Sequence, residues 1–179
     1  MTKPERFTVI GAGHGGKAMA AYLAIKGVEV TLFNRTYDHI EMVAKRGGID
    51  LESPEGNISG FGKIHKTTSN IEEALKDAEM IMIVVPSSAH ADIAAIVSPH
   101  LHDGQIVLLH PGRTCGTIEF SNILKKNGCT AKIVLAETET FIFASRSDGP
   151  AQARIFRIKE AVPLAALPAK DNPIVLTAL

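Results

Sequence analysis

Met80-Ile81-Met82-Ile83-Val84-Val85 is apolar at every position, and that run constrains the fold more than any other segment. A strand without alternation is buried on both faces, so it belongs in the interior of a parallel sheet covered by helices on both sides. A half-solvated antiparallel sheet is excluded here. With 179 residues, one domain buries roughly 70% of its unfolded surface, so the core needs neither disulfides nor metal.

Around that strand, strand-like and helix-like patterns alternate, which is the signature of βαβ units. Strands are expected at Phe7–Ile10, Val28–Phe33, Gln105–Leu109 and Lys132–Ala136, with one or two more in the Gly-rich stretch Ile49–Ile64. Helices are expected at Gly16–Lys26, Thr36–Arg46 and Thr117–Lys126, closed by Gly27, Gly47-Gly48 and Asn127-Gly128, and at Ser88–Val97. Ser69-x-x-Glu72 reads as a capping box opening a short helix to about Lys76. Thr140–Ala144 and Ala153–Ile158 should complete or extend the sheet. The expected fold is α/β, a doubly wound, mostly parallel Rossmann sheet in three layers, helix on sheet on helix. Residues 161–179, with Pro163, Pro168 and Pro173 and no periodicity, read as a connection beyond a domain formed by residues 1–160.

Lys+Arg and Asp+Glu number 19 each, for a formal net charge of zero. Nucleic-acid binding and a polybasic membrane surface both need excess cations on one face, so both are excluded as expected partners. The longest apolar run is too short to span a bilayer, and the chain enters a strand pattern without a signal h-region, so a cytoplasmic location is expected. Cys115 and Cys129 form no CxxC pair and have no matching His spacing, which points to reduced thiols.

Gly11-Ala12-Gly13-His14-Gly15-Gly16 matches G-x-G-x-x-G directly between a strand and a helix. In that context Gly11 permits the tight turn, Gly13 lets a pyrophosphate approach the backbone, and Gly16 lets helix and strand pack closely. The diphosphate would rest on the first N–H groups of the helix, beside His14 and Gly15, at the positive end of its dipole. A P-loop reading of Gly11–Lys17 fails at the next position, because Ala18 has no hydroxyl for Mg²⁺.

The end of the second strand, about 20 positions beyond the loop, usually carries the acid that holds the ribose of NAD. Here it reads Asn34-Arg35-Thr36. Asn34 carries no charge to repel a 2′-phosphate, Arg35 offers a guanidinium fork and Thr36 a hydroxyl, so NADP is preferred, with NAD the alternative. Pro86 and Ser87 follow the buried strand, where ligands lie in doubly wound folds; they are read as cofactor contacts, although Ser87 or Ser88 would also cap the next helix. Arg113, after His110-Pro111-Gly112, either meets a carboxylate or stays solvated. His90, His100, His102 and His110 show no ligand spacing for a metal. Glu137 and Glu139 would line the cleft, supply a base or stay solvated; no G-x-S-x-G elbow occurs.

The chain resembles the N-terminal, NAD(P)-binding domain of the opine dehydrogenases, the octopine and N-(1-carboxyethyl)-amino-acid dehydrogenase family, akin to ketopantoate and glycerol-3-phosphate dehydrogenases. The resemblance spans nearly the whole chain. Val9–Gly16 with Ala20–Ala24, Ile83–Pro86 with His90 and Ile93-Ala94, Pro111-Gly112 with Glu119-Phe120, and Glu137-Thr138 carry it. It implies NAD(P)H-dependent reductive condensation of a 2-oxo acid with an amino acid, hydride going to the imine carbon. Asn34 departs from the acid of NAD-preferring members, and His110 stands where Asn is common. The family's catalytic His and its acidic partner lie in a second, helical domain that nothing here matches, so no catalytic residue carries over. Residues 161–179 would lead toward that domain. The chain alone should then bind a dinucleotide without turnover. A stand-alone dinucleotide-binding or sensing module, and the Rossmann half of a ketopantoate- or glycerol-3-phosphate-type dehydrogenase, are the alternatives. The oligomeric state is open, a homodimer included.

Overall fold

The computed structural model describes residues 3–54, 58–113 and 115–179. In chain order the elements are β1 (Arg6–Ile10), α1 (His14–Ile25), β2 (Glu29–Phe33), α2 (Glu41–Arg46), β3 (Gly48–Glu52), β4 (Gly60–Lys63), β5 (Lys66–Thr68) and α3 (Ile71–Leu75). Then follow β6 (Met80–Ile83), α4 (His90–Val97), β7 (Ile106–Leu109), α5 (Gly116–Lys126), β8 (Val134–Thr138), β9 (Phe143–Gly149), β10 (Gln152–Ile158), β11 (Leu164–Leu167) and α6 (Asn172–Ala178).

Seven strands form the main sheet in the order β11-β8-β7-β6-β1-β2-β5, all parallel except β11 against β8. Between β5 and β8 this is the doubly wound order, in which the chain reverses direction at β1 and β6 and leaves a crevice at their carboxyl ends. The apolar run behaves as its composition demands, with Met80 and Met82 packing on one face and Ile81 and Ile83 on the other. Val9, Leu32 and Leu108 join the first face, against α1; Ile10, Phe33, Val107 and Leu109 join the second, against α3, α4 and α5.

The strands expected at 140–144 and 153–158 do not extend the main sheet. As β9 and β10 they pair with β3 and β4 into a separate four-stranded sheet, β4-β3-β10-β9, which packs over α1 and adds a fourth layer to the expected three. This explains the composition of α1. A helix covered on two sides has no polar face, and Gly16 to Ala21 are buried without interruption. A Cβ on Gly62 of β4 would lie 2.7 Å from the Cα and the carbonyl oxygen of Ala21, so only glycine lets the second sheet come this close.

Three local readings shift. The N-cap of α3 is Asn70, not Ser69: its Oδ1 accepts from Glu73 N at 3.3 Å. The N-x-x-E box one step later wins because Thr68 Oγ1 already accepts from Asn70 N at 3.0 Å. Thr36–Arg46 is a 3-10 turn at Tyr37–His39 followed by the shorter α2, which Gly47 closes in the left-handed region at φ 72°. The last parallel strand runs to Thr138 instead of ending at Ala136, which moves Glu137 from a loop onto the sheet.

The tail differs most. Residues expected as a bare connection form β11 and α6, packed on the edge of the main sheet. Asn172 Oδ1 accepts from Ala166 N at 2.6 Å, and Val175 and Ala178 are buried. Pro173 stands at the start of α6, where its missing N–H costs nothing.

Candidate functional site

At the β1–β6 reversal, the glycine loop is built by close approach. Gly11 sits at φ 110°, its N–H donating to Phe33 O at 2.9 Å, and a Cβ there would lie 2.4 Å from Val84 O. Gly16 is tighter still: its Cβ would fall 1.8 Å from Gly11 O. Gly13 is exposed, has open space where a Cβ would stand, and is the N-cap of α1. No side chain caps this helix and its first turn holds no acid. Its leading amides and dipole therefore face the crevice without an internal anion.

The loop is braced from the second sheet. His14 Nδ1 accepts from Ser147 N at 2.8 Å, so this imidazole fastens α1 to β9. A Cβ on Gly15 would stand 3.1 Å from the ring of Phe141. Lys17 is buried, with Nζ 3.4 Å from Ser147 Oγ, and burial lowers its pKa. The lysine of the near-P-loop pattern thus lies under the second sheet, and Ala18 is fully buried.

Asn34 closes the loop from the end of β2. Its Oδ1 accepts from Ala12 N at 3.2 Å, while Nδ2 donates to Thr36 O at 2.9 Å and lies 3.4 Å from His39 Nδ1. Gly11, Asn34, Arg35, Thr36 and Pro86 meet in one cavity of about 220 Å³, together with His39, Ala89 and Ile93. Gly13, His14, Gly15, Gly16 and Ser87 lie outside its lining; the first four form the adjoining loop, and Ser87 opens the exposed 3-10 turn before α4. Arg35, one of the lining residues, has its Nη1 3.3 Å from Asp92 Oδ2 on α4, outside the lining. Another cavity, about 290 Å³ between Gln105 and Ile174, lies at the opposite, amino ends of the strands and has no glycine loop.

Beyond β7, the His110–Arg113 loop is held by its neighbours. His110 is 5% exposed; its Nε2 accepts from Ile142 N at 3.4 Å and its Nδ1 lies 3.2 Å from Thr138 Oγ1. Burial pushes its pKa down to about 4, so the ring is neutral and its network places the proton on Nδ1. Glu137, read from sequence as a cleft or solvated carboxylate, accepts from Thr117 N at 2.7 Å. It fills the N-terminus of α5 with the protein's own anion, in contrast to α1. Arg113 is exposed, at φ 62°. Among the described residues, no three His, Cys, Asp or Glu side chains group as metal ligands, and no helix is long and apolar enough to cross a membrane.

Sequence reading missed His39, Asp92, Phe141 and Ser147. His39 was within reach, standing five positions beyond Asn34 on the same loop. Asp92 is brought in by α4, Ser147 by the second sheet and Phe141 by the segment that leads into β9, and nothing local marks them.

Known proteins resemble this chain along most of its length. An opine dehydrogenase from an Arthrobacter species is 39% identical over 169 residues, 94% of this chain and 46% of that protein. Octopine dehydrogenase solved with NADH and agmatine superposes with a TM-score of 0.80 at 19% identity, over 90% of this chain and 41% of that one. Yersinopine dehydrogenase with NADP+ gives 0.74 at 16%, over 92% and 41%; at such identities these two establish the fold alone. The chain spans about half the length of the curated relatives it matches. The family described as NAD-dependent glycerol-3-phosphate dehydrogenase N-terminus matches residues 6–122. With the glycine loop at the sheet reversal and well over half of its length matched, the chain belongs to that family of NAD-dependent oxidoreductase domains.

Proposed function

We propose that this chain is the dinucleotide-binding half of an opine-type dehydrogenase, which joins a 2-oxo acid to an amino acid at the expense of NADPH or NADH. The uncapped start of α1 at the sheet reversal carries the reading. Gly11, Gly13, His14, Gly15 and Gly16 form the pyrophosphate cradle, where backbone amides and the helix dipole attract the anion. Asn34, Arg35, Thr36, Pro86 and Ser87 surround the adenosine end. Arg35 and the missing acid at position 34 favour the 2′-phosphate of NADP over the bare hydroxyl of NAD. When bound, the nicotinamide supplies the hydride; the residues of this chain bind it, orient it and exclude water.

Acid–base groups and most substrate contacts come from a second, helical domain outside these 179 residues, so the chain alone binds without turnover. The reaction then acts on a CH–NH bond, which calls for an amino acid and a 2-oxo acid as partners. The family match also favours a glycerol-3-phosphate-type reaction as second reading.

Calorimetric titration of the chain with NADPH, NADH and Mg-ATP tests the site. The expected result is dinucleotide binding, tighter for NADPH, with the difference lost in Arg35→Ala; binding of Mg-ATP alone refutes the proposal. In the protein carrying the second domain, NADPH oxidation should need both the 2-oxo acid and the amino acid. Oxidation by dihydroxyacetone phosphate alone would replace the opine reading with the glycerol-phosphate one.

A further inference from the structure

We propose that Asp92 is a specificity-determining residue of the adenosine end, tempering the preference for NADP by competing for Arg35. The inference rests on the dinucleotide reading of the site. Arg35 leaves the end of β2, and Asp92 stands in the first turn of α4, between Ala89 and Ile93, which line the cavity. Arg35 lines that cavity and Asp92 does not; the two side chains meet at 3.3 Å, 56% and 65% exposed. One arm of the guanidinium is therefore engaged by a carboxylate.

A 2′-phosphate recruits Arg35 through the same fork that holds Asp92. It must displace the carboxylate or share the guanidinium with it at close range, where two anions repel. NADH brings no such demand, because a 2′-hydroxyl leaves the pair intact. The pair is exposed and single, so its closure is worth at most about fivefold in an equilibrium constant. That is small beside the whole affinity but acts on one cofactor alone, and so it sets a ratio. Asn34 cannot take over the role, because its amide is already committed to Ala12 N and Thr36 O. His39, the other basic group of the cavity, is in contact with Asn34.

The test is a double-mutant cycle read as the ratio of the NADH and NADPH dissociation constants, measured by calorimetry on the chain at fixed ionic strength. In the parent, Asp92→Asn should move that ratio three- to fivefold toward NADPH. In the Arg35→Ala background the same change should move it less than twofold, since the residue it acts through is gone. Any of three results overturns the inference: an unmoved ratio, a shift toward NADH, or an equal shift with and without Arg35. A shift toward NADH would mean that Asp92 orders Arg35 for the phosphate instead of competing with it. Failure of the parent chain to bind either cofactor would refute the dinucleotide site itself and the inference with it.

Discussion

His110 makes the domain acid-sensitive by an amount that its surroundings fix. The ring is 5% exposed, and burial lowers its pKa from 6.5 to about 4. Protonation would turn Nε2 from an acceptor of the Ile142 N–H into a donor aimed at a donor. The fold thus prefers the neutral ring, and between pH 6.5 and 4 the unfolded chain binds more protons. Stability is full above pH 6.5 and is lost as pH falls toward 4. A tenfold change in proton affinity is about 1.4 kcal/mol, so the loss is capped at roughly 3 kcal/mol and most of it has occurred by pH 4.5. Urea unfolding at pH 7.5 and 4.5, for the parent and for His110→Asn, isolates this contribution. The carboxylates and His90 titrate in both proteins and cancel in the difference. The parent should lose about 2 to 3 kcal/mol more than the variant over that interval. Equal losses, within about 0.5 kcal/mol, would refute the argument and place the buried ring in contact with water or a counter-charge.

Gly62→Ala should destabilise the domain by about 2 to 3 kcal/mol, because the new methyl meets backbone of Ala21 at 2.7 Å and backbone cannot rotate away; a denaturant midpoint checks it. Gly16→Ala places a methyl 1.8 Å from Gly11 O, so the turn must open and dinucleotide binding by calorimetry should fall at least a hundredfold. Glu137→Ala leaves the Thr117 N–H at the start of α5 without its acceptor, a loss of about 1 to 2 kcal/mol that thermal unfolding would register.

What the sequence disclosed follows the range of the forces involved. The run from Met80, the glycine loop and the helix stop at Gly47 were legible because each is written in adjacent residues. The box at Asn70 was one residue off, because Ser69 and Asn70 each have a Glu three positions on, and only the hydrogen bond from Asn70 N to Thr68 decides between them. The second sheet was hidden for another reason: β3 and β10 pair across most of the chain, and a strand's own sequence does not say which sheet it joins. The tail escaped because a four-residue edge strand with one buried side chain, Ala166, carries no period. At the candidate site, the loop and the β2 end are written in local spacing, whereas Asp92 and Ser147 become their neighbours only through tertiary packing.

The double cover over α1 links the loop to parts of the chain far from it in sequence. β4 and β9 close on the helix from residues 60–63 and 143–149, so neither can dock until both segments have returned to the same place. The first turn of α1 is pinned to that sheet through His14 and Ser147. Local fraying of the glycine loop therefore requires the second sheet to loosen as well, and the loop belongs to one cooperative unit with it. A ligand held by the loop would in turn raise the protection of β9 amides it never touches.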